Sequence, residues 1–253
     1  MNPPDSLDGT RKGGSRVAFF GGSFDPPHLG HLAVARAACD AFRLNTVLFA
    51  PVGVQPLKPE GSTASFEQRV AMTRLAIAGQ VGFRVSLADA PKSTGAPNYT
   101  LETLKELRAG LGADSVLYCL MGADSFFGLK RWHRAAEIPF VAPLIVASRP
   151  GEPLSGLDDA LPEGLTIEAG TEADLVEADV EVQVFSLVNR VGDRAPFYVL
   201  PGLHEEISAS EIREGLRRRL PGQAGRAHSG EDGGKAVLPD AVREYVQAHG
   251  LYR

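Results

Sequence analysis

Short apolar runs alternate with longer amphipathic ones along most of this chain. Val17-Ala18-Phe19-Phe20 is unbroken and too short for a helix, so it reads as a buried strand that breaks at Gly21-Gly22. Leu29–Phe42 is alanine-rich and reads as a helix, followed by a strand over Thr46–Ala50. Ser65–Gly79 reads as a helix, with Ser65 and Gln68 spaced as a capping box and Gly79 at its end. Phe83–Leu87 reads as a strand and Thr100–Ala109 as a helix stopped by Gly110. Ser115–Met121 and Leu144–Ala147 follow as strands, then Val180–Val188 and Pro196–Leu200. Pro239–Gly250 closes the chain as an amphipathic helix with Val242, Tyr245 and Val246 on one face. Residues 150–164 and 221–235 are polar and rich in Gly and Pro, hence expected loops. No internal repeat is visible.

Strands and helices alternating at this spacing predict an α/β fold, a doubly wound parallel sheet with helices on both faces. Such sheets bind ligands beyond the C-terminal ends of their strands. Residues 21–31 and Gly122–Asp124 both follow strands directly, so the sheet should bring them to one rim. A single domain over 16–253 is expected, behind a disordered tail at 1–15. It would carry an insert at about 152–190 and a C-terminal helical part at 207–253.

Composition narrows this further. The chain has 253 residues, 43% of them hydrophobic, enough for a real core. Its net charge of -5 calls for no nucleic acid. Ten Asp and Glu fall within residues 151–182, where there is no Lys or Arg. The rest of the chain carries all 26 Lys and Arg and is mildly basic, which fits either a polyphosphate-binding body or simply a solvated acidic loop. The two cysteines, Cys39 and Cys119, lie in apolar segments and read as buried free thiols. The first fifteen residues do not form a signal peptide, and no run reaches the ~18 apolar residues of a membrane span. A cytoplasmic protein is expected, a monomer or small homo-oligomer.

Residues 21–31, Gly-Gly-Ser-Phe-Asp-Pro-Pro-His-Leu-Gly-His, carry the chemistry. Glycines let backbone N–H groups approach an anion without a Cβ in the way. A helix N-terminus behind them offers unpaired N–H groups and about half a positive charge. His28 and His31 are three apart, so both can face one phosphate. No Lys follows as in a P-loop, and the dinucleotide fingerprint Gly-x-Gly-x-x-Gly is absent. With no evident nucleophile or carboxylate pair, the chemistry that remains is positioning and charge stabilisation. A zinc pair at His28 and His31 finds no third ligand at the right spacing, so no metal site is expected. His133, His204, His228 and His249 have no partner legible in the sequence.

Other segments have plain readings of their own. Ile207-Ser208-Ala209-Ser210-Glu211-Ile212-Arg213 opens a helix, with Ser208 and Glu211 as its capping pair. Arg217, Arg218 and Arg219 read as a solvated basic face. Asp124 and Thr100 read as N-caps, and Trp132, the one tryptophan, as core.

The block at 21–31 resembles the signature of the His-x-Gly-His nucleotidyltransferase superfamily, in the longer form found in bacterial nicotinate-nucleotide adenylyltransferases. Residues 207–213 are similar to the second signature of that family. The likeness covers roughly 16–150 and 196–252. It implies adenylyl transfer from ATP to nicotinic acid mononucleotide, with Mg2+ carried by ATP. His28, His31 and Arg213 would be catalytic. Gly21, Gly22, Ser23, Phe24 and Gly30 would bind ATP, as would Gly122, Asp124 and Arg149, and Ile207, Ser208 and Ser210 at the last helix start. Asp25, Lys58, Tyr99, Thr100 and Trp132 would bind the mononucleotide, Trp132 offering its face to the pyridine ring and Asp25 either touching substrate or bracing the turn. Leu57 departs from the pattern, standing where the family commonly has His, which implies a weaker or differently organised mononucleotide site. Nicotinamide mononucleotide remains an alternative acceptor. So does phosphopantetheine, although its transferases usually have Thr where His28 stands. A non-catalytic nucleotide sensor on the same fold is a third reading.

Overall fold

A computed structural model describes residues 14–58, 60–148, 156–170, 181–201, 209–218 and 237–253. Its strands are β1 (Arg16–Gly22), β2 (Thr46–Pro51), β3 (Phe83–Val85), β4 (Val116–Gly122), β5 (Leu144–Ala147), β6 (Leu165–Ala169), β7 (Gln183–Asn189) and β8 (Arg194–Leu200). Its helices are α1 (Leu29–Phe42), α2 (Phe66–Ala76), α3 (Thr100–Gly110), α4 (Ala123–Phe127), α5 (Ile138–Val141), α6 (Leu157–Ala160), α7 (Ala209–Arg218) and α8 (Asp240–Ala248).

The strands form one sheet in the order β3-β2-β1-β4-β5-β8-β7-β6. The first six in that order are parallel to their neighbours. Alternation within single strands shows why helices cover both faces. In β1, Val17 and Phe19 enter one core while Ala18 and Phe20 enter the other. In β4, Leu117, Cys119 and Met121 face the first core, and Tyr118 and Leu120 the second. A strand apolar on both faces must be covered on both. The alanines of α1 serve the same end, since Ala35, Ala38 and Ala41 are fully buried and let the helix lie close to the sheet.

The doubly wound sheet is as expected, and several local expectations are corrected. First, Gly21 and Gly22 do not break the first strand. They continue β1 in register with Ala50 and Pro51. Second, the acidic insert is not all loop. Residues 157–160 form α6, with Leu157 and Ala160 buried. β6 then pairs antiparallel with β7, and β7 with β8, extending the sheet by two strands. Third, the expected caps shift. Tyr99, not Thr100, caps α3, and Gly122, not Asp124, caps α4. The Ser65–Gln68 capping box forms as expected, Ser65 Oγ accepting from the Gln68 N–H at 3.2 Å. Helix α2 ends at Ala76 rather than Gly79.

The order of connection reverses between β1 and β4. In a doubly wound sheet this crevice, beyond the carboxyl ends of the strands, is where ligands bind. Both motif-bearing loops leave the sheet there.

Candidate active site

The loop after β1 turns sharply. Phe24 adopts φ +48, a left-handed conformation that costs a non-glycine residue roughly 1 kcal/mol. Its ring is buried and offsets that cost, packing against Phe20 at 5.7 Å and His31 at 4.9 Å between ring centroids. Gly21 is needed for space, because a Cβ there would lie 2.7 Å from the Phe19 ring.

His28 and His31 meet at the start of α1, His28 as its N-cap residue and His31 in its first turn. Their rings lie 3.7 Å apart between centroids, at 35°. The His28 backbone N–H donates to His31 Nδ1 at 3.1 Å. His31 Nδ1 is thereby an acceptor, so the neutral ring carries its proton on Nε2. Burial lowers the His28 pKa to about 4. Burial first, and the neighbouring His28 second, hold His31 well below its ordinary value. Both are therefore neutral near pH 7 and act as hydrogen-bond donors rather than fixed cations. His28 Nδ1 is buried without a partner among the described residues, leaving hydrogen-bonding capacity unspent.

Of the two parts open to Asp25, bracing the turn or touching substrate, its contacts show the first. Its buried carboxylate accepts from the N–H groups of Thr63 at 2.7 Å and Ala64 at 3.1 Å, and from the Tyr252 hydroxyl at 2.7 Å. It braces the loop against the start of α2 and the chain's end. Arg69, 2% exposed, holds the same loop from beneath. It donates to the carbonyls of Ser23 at 2.7 Å, Val52 at 2.8 Å and Ala64 at 3.3 Å. Burial lowers its pKa, partly countered by the charge of Asp25.

Arg213 reaches the loop from α7. It donates to the Asp25 carbonyl at 2.7 Å and to Ser210 Oγ at 3.1 Å. The two signatures, far apart in sequence, thus meet. Lys58 Nζ lies 3.3 Å from Ser23 Oγ, which in turn donates to Gln55 at 3.3 Å. Arg149, Ile207 and Ser208 lie outside the described residues, as do His204 and His228. Asp124 sits exposed in the first turn of α4, and Gly30 buried in the first turn of α1.

Beside the histidine loop opens a cavity of about 310 Å³. Gly21 and Gly22 form one wall, Trp132 another, and Tyr99 and Thr100 bring the N-terminal end of α3 to it. Leu57, 44% exposed, lies at this cavity as well. Asn98 fixes the α3 end, accepting from the Val54 N–H at 2.9 Å and donating to the Ala90 carbonyl at 3.0 Å. Tyr99 stacks on His133, with centroids 4.3 Å apart. Trp132, half-buried and facing this cavity, is thus more than a core residue. Arg69, Asp89 and His133 carry no signal in the sequence, because each depends on a partner distant along the chain. Both cysteines are free, and burial pushes Cys119 up to about 12 and Cys39 to about 11.

Comparison with known proteins agrees with this geometry. Residues 19–215 match the cytidylyltransferase-like family. A protein of Stenotrophomonas maltophilia named "probable nicotinate-nucleotide adenylyltransferase" is 37% identical over 242 residues, covering 93% of this chain and 96% of the relative. A protein of the same name from Gloeobacter violaceus is 36% identical, covering 94% and 97%. The Plasmodium falciparum nicotinic acid mononucleotide adenylyltransferase complexed with NaAD shares the fold, with a TM-score of 0.63 at 14% identity, covering 94% of this chain and 97% of that one. By its full-length match to these relatives and its paired histidines, the chain belongs to the cytidylyltransferase-like family, among the nicotinate-nucleotide adenylyltransferases.

Proposed function

We propose that this chain transfers the adenylyl group of ATP to nicotinic acid mononucleotide, giving nicotinic acid adenine dinucleotide and pyrophosphate, a step of NAD biosynthesis. The observation that carries this is the neutral histidine pair at the β1 rim, next to a cavity with an aromatic wall. A phosphate oxygen of the mononucleotide attacks the α-phosphorus of ATP in line. The bond from that phosphorus to the bridging oxygen of the β-phosphate breaks, and pyrophosphate leaves with the electron pair. No covalent enzyme intermediate is needed, since the attacking phosphate is already anionic.

His31 Nε2–H donates to phosphate oxygens on which charge accumulates, and His28 shares the load. Because both rings start neutral and fixed, little reorganisation accompanies the reaction. Arg213 and the α7 start bind the leaving pyrophosphate. The cavity takes the pyridine ring against Trp132, and the N-terminal end of α3 faces the ring's carboxylate. Mg2+ enters as the counter-ion of the ATP phosphates and neutralises part of their charge. Leu57, in place of the histidine common in the family, leaves Gln55 and Lys58 as the polar groups of that loop that reach Ser23.

The experiment is steady-state kinetics of His31→Ala with Mg-ATP and nicotinic acid mononucleotide. Loss of the preorganised donor should lower kcat by roughly 10²–10³. Turnover close to that of the unaltered chain would contradict the role.

A further inference from the structure

Asp89 is an unusual group to find in this cavity. It follows β3, is 3% exposed, and lies at the cavity with its wall residues Trp132 and Tyr99. Its carboxylate accepts from the Thr103 hydroxyl of α3. Among the described residues it has no ion-pair partner, and no other side chain donates to it. Buried carboxylates are ordinarily paired with a cation or bound by several donors. Asp25 in the same molecule is held that way, by three donors, whereas Asp89 has one neutral hydroxyl.

The surroundings do not relieve this. Burial raises the Asp89 pKa, and the influence of Lys92 and Thr103 opposes it only in part. Glu106 adds to the cost. Nor is the position accidental. The Gly53 N–H donates to the Asp89 carbonyl at 2.7 Å. A Cβ at Gly53 would lie 2.4 Å from the Pro91 backbone nitrogen, so the two loops are pressed together only because residue 53 is glycine. Asn98 then ties the same segment to the start of α3. The backbone is built to hold this carboxylate at the cavity.

We propose that Asp89 is a binding residue for the ring of the acceptor, its carboxylate supplying the counter-charge to a pyridinium cation stacked on Trp132. The inference rests on the mononucleotide reading above and deepens it. A pyridinium ring is flat, apolar at its faces and positively charged, which suits an indole face on one side and an unpaired carboxylate nearby.

The charge can be separated from the hydrogen bond. Asp89→Asn keeps an oxygen to accept from Thr103 and loses the charge. Thr103→Val keeps the charge and loses the bond. Trp132 is the chain's one tryptophan, so its fluorescence reports ring binding directly, without turnover. The ligands are nicotinic acid mononucleotide, and nicotinamide mononucleotide in its oxidised and 1,4-dihydro forms, the last with a neutral ring.

Asp89→Asn should weaken both charged-ring ligands by about tenfold and the dihydro ligand by no more than about twofold. Thr103→Val should leave the preference for the charged ring in place. Equal weakening of charged and neutral rings in Asp89→Asn, or the same loss of preference in Thr103→Val, would make Asp89 a structural strut and overturn the inference. So would unchanged binding in Asp89→Asn. In either case, continued turnover by the unaltered chain leaves the proposed function standing. If the unaltered chain neither binds nor turns over any mononucleotide, both fall together.

Discussion

His28 and His31 are held neutral by burial, so the folded chain binds protons at these positions less readily than the unfolded chain does. Stability must therefore fall as the pH drops from about 6.5, the unfolded value, toward about 4, the folded value of His28. His31 acts in the same direction. Above about 6.5 both states are unprotonated and the effect vanishes. Thermal unfolding followed from pH 7.5 to pH 5 should show this loss, and His28→Gln should flatten the profile between those values. An unchanged profile would mean that the histidine environment differs from the one described. Tyr252→Phe removes one of three donors to the buried Asp25 and should cost about 1–2 kcal/mol in denaturant unfolding. At this scale the sequence shows consecutive chemistry well. His28 and His31 were legible because glycines, prolines and histidines stand in one block. Asp89 and Arg69 were not, since nothing local distinguishes a buried carboxylate or a carbonyl-clamping guanidinium from a solvated one. Asp25 was legible as important, but its partners at 63, 64 and 252 were not.

Among the elements, the parallel strands announced themselves through unbroken apolar runs, as in β1 and β4, because burial on both faces leaves no polar position. The strand β6 was hidden by composition. Leu165-Thr166-Ile167-Glu168-Ala169 does alternate, yet it lies in a stretch so acidic that it reads as solvated loop. Its Glu168 is spent on an ion pair with Arg194 of β8, at 2.8 Å. The neighbouring β7 anchors this addition through Leu187, which is fully buried in the core that also takes Phe197 and Leu165. Leu187→Ala should destabilise the protein by about 2–5 kcal/mol, measured by denaturant unfolding. A loss well below 1 kcal/mol would mean that the added strands sit outside the cooperative core.

For the whole molecule, the sheet's reversal between β1 and β4 brings the histidine loop and the aromatic cavity together. The last two elements close the site from behind. Helix α7 delivers Arg213, and Tyr252, just beyond α8, reaches Asp25. A ligand that engages both sides should stabilise the folded state in proportion to its saturation. At about a hundredfold excess over Kd this amounts to about 2.7 kcal/mol, visible as a raised Tm with ATP and mononucleotide together. Doubly wound topology was legible from strand-helix alternation, while the joining of the two signatures into one site had to await the fold.

The transferase activity is tested most directly by pyrophosphate release from the purified protein with Mg-ATP and one acceptor at a time. The acceptors are nicotinic acid mononucleotide, nicotinamide mononucleotide and phosphopantetheine. Release with the acid should be at least about tenfold above that with the amide, corresponding to roughly 1.4 kcal/mol of discrimination, and none should occur with phosphopantetheine. No release with any acceptor, alongside measurable ATP binding, would contradict this function and leave a nucleotide-binding protein without transferase activity.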